Sequence, residues 1–112
     1  MAATHDDAVL IVQLSQLAAS LGVNKAVRTI LAPAFDPQAV EIDDPDVQTI
    51  LNFSETIATL VKHDLLDREL VQDWIWLAGF WERLGPAAER ARRRIGAPSL
   101  YENLEAVVAS GG

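Results

Sequence analysis

Residues 44–63 read DPDVQTILNFSETIATLVKH, and this stretch decides the fold class. Asp44 is a good N-cap, Pro45 suits the first helical position, and Asp46 complements the positive end of a helix dipole. Stepping 100° per residue puts Val47, Ile50, Phe53, Ile57, Ala58, Leu60 and Val61 on one side. Gln48, Thr49, Asn52, Glu55, Thr56, Thr59, Lys62 and His63 fall on the other. The spacing predicts a long amphipathic helix that packs by one face.

Working outward, the same period recurs on both sides. Upstream, Leu10, Leu14, Leu17 and Leu21 recur in a helix over 7–21, with Gln13, Gln16 and Ser20 opposite and Gly22 ending it. A shorter helix over 24–31 offers Ala26, Val27, Ile30 and Leu31 for burial. Residues 32–45 form an acidic loop with Pro33, Pro37 and Pro45; one alternating pair, Val40 and Ile42, does not make a strand. Downstream, Asp67 caps a helix expected to reach Leu84, where Gly85-Pro86 breaks the chain. A short helix over 86–95 buries Ala88, Ala91 and Ile95, and Gly96 ends it. A last helix starts at Pro98-Ser99 and buries Leu100, Leu104, Val107 and Val108.

These readings predict an all-α fold, a compact bundle of five to six helices in a single domain spanning residues 1–112, with 1–6 and 110–112 flexible. A chain of 112 residues, half of them apolar, can build one hydrophobic core without metal or disulfide staples. Cysteine is absent, which excludes disulfides, thiolate metal sites and thiol catalysis. The first 67 residues carry ten acids against three bases, and the remainder carries six of each. A formal charge of −7 repels phosphate backbones, so nucleic acid is an unfavourable partner. The start, Met1 to Asp7, lacks the basic character of a secretory signal. The apolar run Ala8–Val12 is far shorter than the ~20 residues that span a bilayer. A cytoplasmic location without membrane contact is expected.

Catalytic and metal motifs are missing. There is no nucleophile elbow, phosphate-binding loop or dinucleotide fingerprint. Neither His5 nor His63 has a glutamate three residues before it, as a bundle di-iron site requires. Glu41, Asp43, Asp44 and Asp46 lack the glycine and terminal glutamate of a helix–loop–helix calcium site. No metal and no cofactor are expected. Leu17 to Lys25 outlines a helix-turn-helix around Ala18 and Gly22, but Arg28 occupies the position of its apolar anchor. A DNA-binding regulator of that type is therefore the second reading of function, and an enzyme using a carboxylate around Glu55 the third.

The first reading is a non-enzymatic protein–protein interaction domain that self-associates. It rests on the aromatic flank Trp76, Phe80 and Leu84, which lies beside the apolar face Leu70, Val71, Trp74, Ile75, Ala78 and Trp81. Burying one tryptophan of ~200 Å² is worth up to about 5 kcal/mol by area, so such a flank is either core or interface. Arg90, Arg93 and Arg94 share the polar face of the following helix and are candidates for contact with an acidic partner.

A resemblance accompanies this reading. Leu51 to Glu55, Leu65 to Val71, Trp81 to Pro86 and Arg94 to Glu105 resemble a bacterial family of small helical proteins known only as a domain of unknown function. The likeness spans about residues 51–109, and Gly96-x-Pro98-x-Leu100-Tyr101-Glu102-Asn103 is its most specific segment. It implies a helical fold and no known activity. Glu55, Glu102 and Asn103 within it either bond loop backbone groups or line a small pocket.

Overall fold

The structure, a computed structural model, describes residues 2–111. Six helices follow in order: α1 (His5–Leu21), α2 (Val23–Leu31), α3 (Pro45–Lys62), α4 (Arg68–Trp74), α5 (Leu77–Ile95) and α6 (Glu102–Ala109). No strand occurs among the described residues. Residues 32–44 are a loop of successive turns, as expected. Of the segments expected to be flexible, Met1 and Gly112 lie outside the described residues.

The Asp44-Pro45 signal acts as read. Asp44 Oδ1 accepts from the amides of Asp46 at 2.9 Å and Val47 at 3.2 Å, and Pro45 opens α3. The helix nevertheless packs more broadly than one face. Its buried set includes Leu51 and Ser54 beside the expected apolar residues, because α2, α5 and α6 all lean on it. Its polar stripe is also engaged, through bonds to the start of α6 described below.

Gly22 and Gly96 end α1 and α5 in the left-handed conformation, with φ of 74° and 67°. Glycine has no Cβ to strain there, so these boundaries are written in the sequence. Thr4 and Asp7 form a capping box that starts α1 at His5, so the expected loose terminus is held from Thr4 onward. The leucine stripe of α1 is a correction. Leu14 is buried, but Leu17 and Leu21 are exposed, because α1 rests chiefly on α2 and meets the rest of the bundle only lightly.

The helix expected over 67–84 is two helices. Asp67 caps α4, accepting from Leu70 N at 2.9 Å, but the chain turns extended at Ile75 (φ −143°, ψ 143°) before α5 begins. The turn lets Trp74 meet Phe53 edge-on, with ring centroids 6.3 Å apart. Gly85-Pro86, expected to break the chain, lies inside α5. A proline inside a helix lacks the N–H for one helical bond and presses its ring on the carbonyl four residues back, and its Cδ also crowds the preceding residue, where it meets the Cβ. Gly85 has none, and the Trp81 indole covers the vacant side 3.3 Å from where that Cβ would stand. Ile95, expected to be buried, is exposed at the end of α5. Residues 98–101 form turns, so α6 starts at Glu102 and not at Pro98-Ser99.

Candidate functional site

The aromatic flank divides. Phe80 is 4% exposed and Leu84 is fully buried, both in the central core, whereas Trp76 is 60% exposed. The break at Ile75 causes this split. It starts a new helix whose register turns Phe80 and Leu84 into the core and leaves Trp76 at the elbow. As a contact surface, Phe80 and Leu84 are therefore withdrawn and Trp76 remains.

The Trp76 ring is not loose. A Cβ added to Gly79 would lie 2.2 Å from the indole, so the ring lies directly on the glycine backbone one turn ahead. It overhangs an open groove of about 370 Å³ between α1 and the α4–α5 elbow. Phe53, Trp74, Ile75 and Val27 line the groove, with Ser15 and Ala19 of α1 also on its wall. On the other flank of α1, Leu17 and Leu21 line a second groove of about 220 Å³ against the polar side of α3. Helix α1 thus stands as an apolar ridge between two grooves, with Val9, Val12, Leu17 and Leu21 in solvent.

The arginines have an acidic partner within the chain itself. Arg90 donates to the carbonyls of Pro37, at 3.2 Å, and Val40. Its Nε stands 3.8 Å from Glu41, and Arg94 pairs with the same carboxylate at 3.1 Å. Arg83 reaches Phe35 O at 3.4 Å. Arg92, not singled out by sequence, bridges Leu100 O (2.8 Å) and Glu105 (3.1 Å) and lies over the Trp81 ring. Arg90 and Arg94 therefore clamp the loop after α2, Arg90 part-buried and Arg94 still exposed. Arg93 alone of the three candidates has no partner among the described residues. The clue in the sequence was the acidic loop, whose Glu41 had no other counter-charge.

Glu55 is a cap in trans. Helix α6 begins after Tyr101, whose left-handed backbone (φ 58°) provides no side-chain cap. Glu55 of α3 accepts instead from Leu104 N at 2.8 Å and Asn103 N at 3.4 Å. Asn103 bonds Thr59 and Lys62, and the Tyr101 hydroxyl donates to Asn52. Burial, and then the Glu55 carboxylate, push the Tyr101 hydroxyl above its ordinary value. Glu55 and Asn103 thus bond backbone and side chains at the α3–α6 joint, whereas Glu102 points to solvent. Replacing Glu55 by Ala is expected to cost about 1–3 kcal/mol in urea denaturation, since two amides of α6 lose their acceptor. Glu55→Gln, which keeps an oxygen in place, should recover part of it; equal loss in both would refute the capping role.

Asp7 ties α1 to the bundle. Besides its box with Thr4, its Oδ1 accepts from Asp67 N at 3.0 Å, at the start of α4. The Thr4 amide is the main cause holding its carboxyl below the ordinary aspartate range, helped by the Thr4 hydroxyl and Asp67 amide against partial burial. The folded value being depressed, this anchor stabilises the fold from neutral pH down to the ordinary aspartate range. It is lost as pH falls through the lowered value. Stability measured against pH should therefore fall more steeply on the acid side for wild type than for Asp7→Asn, and parallel curves would refute the coupling.

Two other sequence readings are placed as follows. Helices α1 and α2 meet at Gly22 alone, bent by 74°, and of the cations on α2, Lys25 lies 3.8 Å from Asp46. An open cleft of about 800 Å³ at the α4–α6 end is lined by charges of both signs, Lys62 and Arg68 beside Asp64, Asp67 and Glu69. No group of three or more His, Asp or Glu suited to a metal ion occurs among the described residues. Among the described residues, no single helix is long and apolar enough to cross a membrane.

Among known proteins, one family model matches residues 23–110, and its description is Domain of unknown function (DUF4760). The match begins at the first residue of α2 and leaves α1 outside. Neither the curated proteins nor the solved structures include a match.

Proposed function

Starting from the fact that the chain belongs to this family, whose description assigns no activity, we propose that it is a non-enzymatic helical protein–protein interaction domain that self-associates. One observation carries the reading. Trp76 is 60% exposed, yet its ring is fixed against Gly79 beside an apolar groove. Tryptophan is enriched among residues that dominate binding energy, and a side chain already held in place loses little entropy on docking. The carboxylate that an enzymatic reading would use, Glu55, is engaged in capping α6.

Sedimentation over a wide concentration range tests this. Species heavier than the 12.2 kDa chain are expected to grow with concentration. Trp76→Ala is expected to weaken that association by about 2 kcal/mol, roughly thirtyfold. A monomer at every concentration would overturn the reading.

A further inference from the structure

From Ala8 to Asn24 the chain carries no ionisable side chain, although its formal charge is −7. Two copies of such a protein repel one another over most of their surfaces, and least across a neutral one. The outward face of α1 is that surface. Ala8, Val9, Val12, Gln16, Ala19 and Ser20 all face solvent, opposite the side on which Asp7 and Leu14 are buried.

We infer that this face docks a second copy of the chain, α1 against α1 and antiparallel, about a twofold axis passing level with Leu14. The inference rests on the self-association proposed above and names its surface. The face maps onto itself under that rotation: position 8 meets 20, 9 meets 19, and 12 meets 16. In this register Val9 packs on the small Ala19, Ala8 on Ser20, and Val12 against the aliphatic stem of Gln16, whose amide reaches solvent. A parallel pair would set valine on valine and leave the small residues facing a gap. It would also bring the acidic starts of both helices, Asp6 and Asp7, together. The antiparallel pair separates these acids and opposes the two helix dipoles.

Size sets the strength. A helix of 17 residues is roughly 25 Å long, and one face of it covers on the order of 450 Å² per partner at ordinary interhelix distances. A standard stable interface needs about 800 Å² per partner. Trp76, across the groove from Ser15 and Ala19, adds the exposed part of its ~200 Å², on the order of 120 Å². The sum falls short of a standard stable interface, which describes a weak, reversible dimer.

The chain has no cysteine, so introduced thiols report geometry without background. Val9→Cys chains mixed with Ala19→Cys chains and mildly oxidised are expected to form the mixed disulfide at least tenfold over either homodimer. In the antiparallel pair, equal positions 9 lie roughly 15 Å apart along the axis, beyond the ~7 Å reach of a disulfide. Val12→Glu, at a site 58% exposed and therefore tolerant of charge in the monomer, should weaken the dimer at least tenfold with unchanged helical circular dichroism. If wild type dimerises but Val12→Glu does too and the homodimeric disulfides dominate, the α1 assignment falls and self-association stands. If wild type is a monomer throughout, both fall. Flotation of the monomer with neutral phosphatidylcholine vesicles would overturn the assignment in favour of a lipid surface.

Discussion

Replacing Leu84 by Ala lowers the stability of the chain by about 2–5 kcal/mol, with a fall in melting temperature of roughly 10 °C or more. Leu84 is completely buried in the core of the bundle. The loss has two parts, the transfer energy of the missing methyl groups and the cavity left when α3 and α5 relax only partly. For a domain whose total stability is about 5–15 kcal/mol, that is a large fraction. Thermal and urea denaturation followed by circular dichroism measure it. Trp76→Ala is the paired control. It is expected to change association more than stability, because most of the indole already lies in solvent. A Leu84→Ala protein as stable as wild type would contradict the packing of α5 on α3.

Arg90→Ala is expected to cost about 2–4 kcal/mol and to open the loop over residues 32–44 to proteolysis. The guanidinium holds Pro37 O and Val40 O and faces Glu41, so removing it strips two carbonyls of their donor and leaves the acid with Arg94 alone. A planar fork that bonds several acceptors is not matched by an ammonium, so Arg90→Lys should recover little. Arg93→Ala, on the exposed side of the same turn, should stay within about 0.5 kcal/mol. Limited proteolysis with mass mapping of the cuts separates the two variants. Equal resistance in Arg90→Ala and wild type would show that the loop is held by its own turns.

Legibility in the sequence followed the range of the forces involved. Asp44, Gly22, Asp67 and Gly96 mark boundaries through bonds or backbone angles within a few residues, and each boundary falls where it was read. The break at Ile75 has no such local sign. It follows from fitting Trp74 to Phe53, 21 positions away, and no residue between Arg68 and Leu84 announces it. Gly85-Pro86 misleads for the converse reason. Each residue is a helix breaker alone, but the glycine removes one of the groups the proline would crowd, and the burial of Leu84, Ala87, Ala88 and Ala91 carries α5 past the missing N–H. At the candidate site, periodicity on one continuous helix put Trp76, Phe80 and Leu84 on a single flank, and dividing Trp76 from Phe80 and Leu84 needed the new register that the break creates. The fate of the arginines and of Glu55 was hidden similarly, since their partners lie 48 to 53 positions away. The neutrality of α1 was fully visible, but its exposure was not, because a stripe of leucines reads as core until the neighbouring helices are placed.

The single glycine between α1 and α2 has a consequence for how the chain breathes. Few contacts beyond α2, Leu14 and the Asp7 anchor hold α1, so detaching it demands far less free energy than melting α3 with its three neighbours. Such a segment behaves as a separate cooperative unit, opening many times for each global unfolding event. Its amide hydrogens in the monomer therefore exchange with solvent well before those of α3. In the α1 pair proposed above, opening and docking compete for the same helix, so protection of α1 is expected to rise with protein concentration.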